Sequence, residues 1–354
     1  MMNTEWIKLL PEQLENDKEK QTIKKAGQII RNGGLVAFPT ETVYGLGGDA
    51  LNAKSSEKIY AAKGRPSDNP LIVHIAKLED LSDIVKDIPK TAKVLADHFW
   101  PGPLTMIFEK NDKVPYETTG GLDTVAVRLP DDPVAIAFIE AAGGFIAAPS
   151  ANTSGRPSPT CGKHVYEDMQ GKIEMILDSG NAGIGLESTI VDLTSEIPVI
   201  LRPGFITEEM LEKVLGKVDM DQTILSVASG MKPKAPGMKY KHYAPKGELS
   251  IVSGESKKVV EYINNQILDL QKNGMKVGVI ATEEMANEYV PCVLKNIGSR
   301  KNEAEVARNL YEILREFDEM DVQVMFSEAF ETAGMGQAIM NRLLKAAGHH
   351  VIEV

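Results

Sequence analysis

The chain has 354 residues, of which 43% are hydrophobic, and its formal net charge at pH 7 is −11. This length and apolar content are sufficient for two domains, each with a core of its own. The negative charge disfavours a protein whose main task is to hold nucleic acid, because phosphate binding requires a positive field. Anionic ligands must therefore meet local clusters of basic residues.

The sequence also limits location and redox chemistry. No apolar run approaches the ~18 residues that a membrane-spanning helix needs. Residues 1–17 lack the basic and then apolar layout of a signal peptide, so we expect a cytoplasmic protein without a membrane partner. Cys161 and Cys292 lie far apart, and we expect ordinary reduced thiols rather than a disulfide or a metal site.

Short apolar runs alternate with helical patterns up to about residue 215, between loops rich in Pro, Gly, Ser, Thr and Asn. This alternation predicts an α/β domain over residues 10–215. The predicted strands are 34–38, 71–75, 104–109, 124–128, 145–148, 174–177, 188–193 and 198–201, and the predicted helices are 21–32, 53–63, 90–99, 133–142 and 162–169.

The C-terminal part shows a plainer pattern, in which five apolar strands alternate with four helical segments. This pattern predicts a small, doubly wound parallel α/β domain over residues 248–354. Residues 216–247 form the predicted linker, whose second half is basic and contains prolines and tyrosines. Because this linker is basic, aromatic and proline-rich, we expect it to fold over a bound nucleotide as a lid, and a passive tether is the alternative.

Polar residues follow two predicted strands where those strands end. The strand at 34–38 runs into a proline and then into Thr40, Glu41 and Thr42, and we expect the glycines after them to keep the space above open. The strand at 145–148 is followed by a loop of hydroxyls and amides, which suit phosphate oxygens or a ribose. Such strand ends predict a ligand cleft at one edge of a sheet.

Basic residues occur at four informative places in the first domain. Lys63 and Arg65 lie at the end of a predicted helix and in the proline-containing loop after it, and they suit phosphate binding. Alternatively, they only interact favourably with the helix dipole. Arg128 lies in an apolar strand, where it must be paired or face an anionic ligand such as a carboxylate. Arg202 leaves another strand, and His74 is either a core histidine or part of the site.

Several motifs of covalent and redox enzymes are missing from the sequence. There is no phosphate-binding G-x-x-x-x-G-K-[ST] loop, no zinc-binding H-E-x-x-H and no G-x-S-x-G nucleophile. The remaining cations and neutral donors suit the positioning of an anionic nucleotide and a small zwitterion for transfer at phosphorus.

Eight segments resemble, in their order, the two-domain threonylcarbamoyl-AMP synthase family. They are FPTETVYGLG, KGRPSDNPLIVHI, FWPGPLT, VRLPD, PSANTSGRPS, ESTIVD, RPG and KYKHYAP. The resemblance covers essentially the whole chain. It implies a YrdC-type catalytic domain with a twisted mixed sheet, joined by the linker to a Rossmann-like domain.

The family resemblance also implies a reaction. Threonine, bicarbonate or carbon dioxide, and ATP would give threonylcarbamoyl-AMP and pyrophosphate, with Mg²⁺ accompanying the ATP and no side chain named as a metal ligand. A separate transferase would then use the product to modify tRNA, and tRNA binding by this chain itself would be weak or indirect. We assign no side chain as an essential base.

The resemblance implies three groups of site residues. Lys63, Arg65 and Arg202 would balance charge during the reaction. The implied threonine-binding residues are Thr42, His74, Arg128, Ala148 through its backbone, and Ser188, and the implied ATP-binding residues are Arg65, Asn69, Thr124, Ser150, Asn152, Ser158, Arg202 and Tyr243.

Two other classes of function stay open from the sequence. An RNA-binding translation factor would bind RNA in a strongly salt-dependent manner without turnover. A carbamoyl-group transferase with the same catalytic domain would be expected to carry zinc-finger segments, which two cysteines cannot supply.

Overall fold

The computed structural model describes residues 2–221, 224 and 242–354. These residues form two compact units. The first lies within Met1–Ser154, Ser158–Gly183 and Glu187–Lys239, and the second within Gly155–Pro157, Ile184–Leu186 and Tyr240–Val354. Most of the predicted linker, including residues 225–241, lies outside the described residues, so that the linker, its lid behaviour and the domain boundaries stay predictions.

The first unit contains an 11-stranded mixed sheet with the strand order β1-β8-β2-β3-β7-β4-β6-β5-β9-β10-β11. Its strands are β1 (Glu5–Lys8), β2 (Val36–Phe38), β3 (Gly45–Asp49), β4 (Ile72–His74), β5 (Leu104–Glu109), β6 (Thr124–Arg128), β7 (Ile146–Ala148), β8 (Met175–Asp178), β9 (Thr189–Asp192), β10 (Val199–Arg202) and β11 (Asp219–Met220). Its helices are α1 (Asp17–Arg31), α2 (Ala53–Lys63), α3 (Lys90–Phe99), α4 (Pro133–Ala142), α5 (Gly162–Met169) and α6 (Glu208–Leu215), with short 3₁₀ helices at Pro11–Gln13 and Leu78–Asp83.

The eight strands predicted for this unit are confirmed, each within two residues at either end. Their apolar runs are buried, so the sequence signal and the packing agree. β1, β3, β11 and α6 were not predicted from the sequence. The first helix was also predicted to begin too late, because the N-terminal turn of α1 is polar and carries no apolar signal, although Glu19 within it is buried.

The glycines after Thr42 do not keep a space open, and that expectation was wrong. Gly45–Asp49 form β3, which pairs antiparallel with β2 so that Gly45 lies opposite Phe38. A Cβ atom on Gly45 would lie 2.9 Å from the Phe38 ring, and one on Gly47 would lie 2.9 Å from Cγ2 of Ile146. The glycines therefore allow β3 to pack closely against its neighbours.

Apolar side chains cover both faces of the sheet. Along β2, Val36 and Phe38 contribute to one hydrophobic cluster, whereas Leu35 and Ala37 contribute to another. Since successive side chains of a strand point to opposite faces, the two clusters lie on the two sides of the sheet. Polar side chains in this unit must therefore either be paired within the core or lie at strand ends.

The second unit is a five-stranded parallel sheet with the strand order β14-β13-β15-β12-β16. This confirms the predicted small parallel α/β fold. Its elements are β12 (Glu248–Ser253), α7 (Ser256–Lys272), β13 (Val277–Ala281), a 3₁₀ helix at Ala286–Glu288, β14 (Val293–Asn296), α8 (Glu303–Glu319), β15 (Val324–Glu328), α9 (Gly336–Ala346) and β16 (Val351–Glu353). Across the residues that the structure describes, no helix is both long and apolar enough to cross a membrane.

Candidate active site

Strand register places three polar side chains in one row at the centre of the large sheet. Arg128 on β6 lies opposite His74 on β4 and opposite Thr105 on β5. Directly paired residues of neighbouring strands present their side chains on the same face. All three residues are buried, so this row is a polar patch inside the protein rather than on its surface.

Arg128 is held by two residues that follow β2, Glu41 and Thr42, and by one carbonyl that precedes β5. Its Nη1 donates a hydrogen bond to Oγ1 of Thr42 at 2.8 Å, and its Nε donates to the Gly102 carbonyl at 3.3 Å. Its Nη2 lies 2.7 Å from Oε1 of Glu41, which is an ion pair without the alignment of a hydrogen bond. Of the two possibilities left by the sequence, the structure thus shows a paired arginine, whose partner lies 87 positions earlier in the sequence.

His74 is buried beside Arg128, and its Nδ1 lies 3.2 Å from the Ile72 carbonyl oxygen. Burial, together with the positive charge of Arg128, lowers the pKa of His74 to about 3. The ring is therefore neutral at pH 7. A neutral imidazole offers one donor and one acceptor to a polar ligand and adds no charge to the site.

A second polar group joins this row through Thr105. Oγ1 of Thr105 lies 2.8 Å from Oγ of Ser188, the residue just before β9. Arg202, at the end of β10, donates from Nε to the Ser188 carbonyl at 3.0 Å and from Nη2 to Oγ of Ser188 at 3.1 Å. One guanidinium thus fixes both the backbone and the hydroxyl of Ser188, and Thr105 links them to the Arg128 row.

Lys63 ends α2 and fixes the loop that follows β7. Its Nζ donates to the Ser150 carbonyl at 2.6 Å, to the Asn152 carbonyl, and to Oδ1 of Asn152 at 3.3 Å. Oγ of Ser150 also donates to Oδ1 of Asn152. The buried ammonium group therefore holds loop carbonyls in place, which is a structural role that the sequence analysis did not foresee.

Hydrogen bonds connect the loops that carry these groups. The Tyr44 amide donates to the Pro159 carbonyl at 2.9 Å, and the Ala151 amide donates to the Tyr44 carbonyl at 2.8 Å. Oγ of Ser158 donates to Oε1 of Glu187, which precedes Ser188. The segments after β2 and β7 and the segment before β9 therefore form one connected region, as the sequence predicted for its strand ends.

The other predicted ATP-binding residues lie in different surroundings. Arg65 donates from Nε to the Asn69 carbonyl at 3.3 Å and from Nη2 to the Pro70 carbonyl at 3.1 Å. Asn69 is buried, and its Oδ1 accepts no hydrogen bond among the described residues. Thr124 starts β6, four residues and about 13 Å of strand from Arg128, so the structure does not bring these two together.

Two of the predicted site residues, one on β7 and one in the second unit, lie outside the row of Arg128. Ala148 ends β7, where it lies opposite Ile72 of β4, and β4 separates β7 from β6, the strand of Arg128. Tyr243 belongs to the second unit, where its ring stacks on that of Tyr311 with 5.2 Å between centroids. Its predicted contact with ATP stays a prediction.

The sequence analysis did not select Thr105 or Glu187, and it named Glu41 only as part of a strand end. Thr105 is the one polar residue in LTMIF, which is a weak indication in the sequence of a polar contact on this strand. The pairing of Glu41 with Arg128 and of Glu187 with Ser158 depends on contacts between distant segments. In the described part of the chain, no group of three or more His, Cys, Asp or Glu side chains is placed to hold a metal ion.

Two family models match the chain. Residues 28–204 match a family described as "Telomere recombination", and residues 206–348 match one described as "Threonylcarbamoyl-AMP synthase, C-terminal domain". Together the two matches cover residues 28–348 apart from residue 205, and the second begins within the first unit of the structure.

Curated relatives are similar over nearly their full length. A Bacillus subtilis threonylcarbamoyl-AMP synthase is 49% identical over 331 residues, which cover 93% of this chain and 94% of the relative. A Pyrococcus abyssi threonylcarbamoyl-AMP synthase is 48% identical over 336 residues, which cover 95% and 97%. The solved structure of P. abyssi Sua5 complexed with L-threonine has a TM-score of 0.90 and 45% identity, over 100% of this chain and 99% of that chain.

The fold and the clustered arginines and hydroxyls define an α/β enzyme of the YrdC class with a second, parallel α/β unit. At the level of identity and coverage given above, the chain belongs to the threonylcarbamoyl-AMP synthase family. The fold class and the family resemblance predicted from the sequence are confirmed. The roles of individual site residues remain to be proposed.

Proposed function

We propose that the chain makes threonylcarbamoyl-AMP and pyrophosphate from L-threonine, bicarbonate or carbon dioxide, and ATP in the cytoplasm. A separate transferase would use the product to modify tRNA, and this chain would bind tRNA weakly or indirectly. One observation carries the proposal: Thr105 joins the buried Arg128 row to Ser188 and Arg202. A cation suited to a carboxylate thus lies in the same connected site as a cation suited to a phosphate.

The Arg128 side of the site suits threonine. The Arg128 guanidinium can hold the amino acid's carboxylate in a bidentate fork. Thr42 Oγ1 and Ser188 Oγ offer hydroxyls beside it, and neutral His74 can exchange hydrogen bonds with the threonine hydroxyl. The backbone of Ala148 completes the proposed threonine-binding set.

The other side of the site suits ATP. Lys63, Arg65 and Arg202 would balance charge on the triphosphate, with Lys63 acting partly through the loop it holds. The Oδ1 atom of Asn69 needs a donor, which an amino group of the adenine base can supply. The further proposed ATP-binding residues are Thr124, Ser150, Asn152, Ser158 and Tyr243.

The proposed chemistry has two bond-forming steps. The ammonium group of threonine first releases a proton to water, its amine nitrogen then attacks carbon dioxide, and a second N–H proton passes to water, which gives a carbamate. A carbamate oxygen then attacks the α-phosphorus of ATP, the bond between the α-phosphorus and its bridging oxygen to the β-phosphate breaks, and pyrophosphate leaves. Positioning both reactants can supply roughly 7 to 11 kcal/mol of the barrier reduction, so no essential side-chain base is required.

Mg²⁺ is proposed to enter with ATP. Among the described residues no three carboxylate, His or Cys side chains are grouped to hold a metal ion, whereas the site offers arginines, a lysine and hydroxyls, and this donor set fits a metal held by the phosphates rather than by the protein. When bound, Mg²⁺ would neutralise charge on the triphosphate.

The test is release of pyrophosphate from ATP by the purified full-length chain. We expect release only when L-threonine and bicarbonate are both present, and much slower release with L-serine. Release that is independent of threonine, or equal release with serine, would contradict the substrate assignment. RNA binding without any turnover would instead favour the RNA-binding translation factor, and transfer of a carbamoyl group from carbamoyl phosphate would favour the carbamoyl-group transferase.

A further inference from the structure

Glu41 is a partly buried carboxylate with incomplete pairing. Its side chain is 15% exposed, and within the described residues neither of its oxygens accepts a hydrogen bond. Its close charged partner is Nη2 of Arg128 at 2.7 Å, in a contact without hydrogen-bond alignment. Since both groups are removed from water, each has hydrogen-bonding capacity that a ligand can satisfy.

A second carboxylate, that of Asp132, lies near Glu41. Asp132 caps α4 by accepting a hydrogen bond from the Ala135 amide at 2.8 Å. Burial raises the pKa of Asp132, and the nearby charge of Glu41 raises it further. Glu41 thus has the guanidinium of Arg128 on one side and the carboxylate of Asp132 close enough to interact with it, while His74 is neutral. A cationic group beside Glu41 would be stabilised by these two carboxylates.

We propose that Glu41 binds the ammonium group of the incoming amino acid and so releases Arg128 to the amino acid's carboxylate. This inference rests on the proposed function, in which Arg128 binds threonine. A free amino acid carries opposite charges on adjacent groups, and the Arg128–Glu41 pair presents the complementary charges side by side. Glu41 is then a positioning residue that places the nitrogen, which attacks carbon dioxide after the ammonium group has released a proton to water.

The pairing seen in the structure explains how the site stays compensated before substrate arrives. An uncompensated buried charge is costly, and the Arg128–Glu41 contact neutralises both groups in the free protein. Because this contact lacks hydrogen-bond alignment, exchanging it for two correctly oriented partners on the substrate gains hydrogen bonds. The exchange favours a ligand that brings both charges and disfavours one that brings only a carboxylate.

The experiment compares two ligands by calorimetric titration. One is L-threonine, and the other is (2S,3R)-2,3-dihydroxybutanoate, in which a hydroxyl replaces the amino group. The proteins are the wild type, Glu41→Gln and the control Glu140→Gln. The control removes an exposed carboxylate on α4 that is paired with Lys77. Circular dichroism melting shows whether each variant is folded.

We expect the wild type and Glu140→Gln to prefer threonine strongly over the analogue. In Glu41→Gln, threonine affinity should fall about ten- to hundredfold, whereas affinity for the analogue should be unchanged or rise. Glu41→Asp, which keeps the charge, should restore part of the preference.

An equal loss for both ligands would show that Glu41 only supports the fold, and an equal gain would show that it only restrains Arg128. Either result would overturn the inference while leaving the proposed function intact. A wild-type protein that binds no threonine would overturn the proposed function itself, and this inference with it.

Discussion

A substitution at Arg128 can distinguish the proposed threonine-binding side of the site from the proposed ATP-binding side. Its guanidinium is buried with Thr42 and Glu41, whereas Arg202 contacts Ser188. We expect Arg128→Ala to raise the KM for threonine by about a hundredfold, with a much smaller change in the KM for ATP, because a charged bidentate contact is lost. Arg202→Ala should show the reverse preference. Steady-state pyrophosphate release measures both.

Arg128→Ala also leaves Glu41 without its partner, which can cost about 3 to 5 kcal/mol of stability. Arg128→Lys is therefore the companion variant, since it keeps the charge and removes the fork. Equal effects on threonine and ATP in both Arg128 variants, with melting temperatures near that of the wild type, would contradict the assignment.

His74 gives the first unit a defined response to acid. Its pKa is about 3 in the folded protein, below the value of 6.5 for an unperturbed histidine. The unfolded chain therefore binds a proton that the folded chain excludes. The contribution of His74 to the free energy of unfolding is thus fully present above pH 6.5 and is lost as the pH falls from 6.5 towards 3. We expect His74→Asn to lose less stability than the wild type between pH 7 and pH 5.

The urea midpoint can be followed by tryptophan fluorescence, because Trp6 and Trp100 both lie in the first unit and the sequence has two tryptophans. His98→Asn, at an exposed position on α3, is the matched control and should behave as the wild type. An acid response in His74→Asn that equals that of the wild type would show that His74 is protonated in the folded state.

At the scale of elements, the packing of α1 against α4 depends on one glycine. A Cβ atom on Gly27 would lie 2.3 Å from the Ala141 carbonyl oxygen and 2.8 Å from the Ala141 Cβ. Alanine would favour the isolated helix by about 1 kcal/mol. We expect overpacking to cost roughly 1 to 3 kcal/mol more than this gain, so that Gly27→Ala lowers the melting temperature.

Lys24→Ala, at an exposed position on the same helix, is the control for a change in helix propensity alone. Thermal unfolding followed by circular dichroism compares the two variants. A Gly27→Ala protein that is more stable than the wild type would show that α1 and α4 can move apart without loss.

The strand predictions succeeded where a segment is apolar and buried, as in β5 and β6, because both faces of the sheet are covered. They failed at β3, whose sequence is GLGGD. Glycine-rich sequence indicates a turn when read locally. Pairing with β2 and β7 makes this segment a strand, and the neighbouring Phe38 and Ile146 side chains explain why its positions are glycine.

At the scale of the whole molecule, the net charge of −11 limits binding to nucleic acid. Five lysines between residues 232 and 246 form a local basic segment, most of which lies outside the described residues. We expect tRNA binding no tighter than about 10 µM near physiological salt, because few phosphates can be neutralised. Fluorescence anisotropy with labelled tRNA between 50 and 300 mM salt, roughly bracketing that condition, checks this expectation. Nanomolar affinity with a steep salt dependence would favour the alternative of an RNA-binding translation factor.

The sequence by itself determined the α/β class, the parallel C-terminal sheet and the family, because these depend on periodicity, strand-end chemistry and the order of motifs along the chain. It also identified Arg128 as a residue that must be paired or face an anion. Tertiary structure alone decided that its partner is Glu41, and that Thr105 connects it with Ser188. The physical reason is that strand register and loop contacts bring together residues that are far apart in sequence, and no local pattern encodes those pairings.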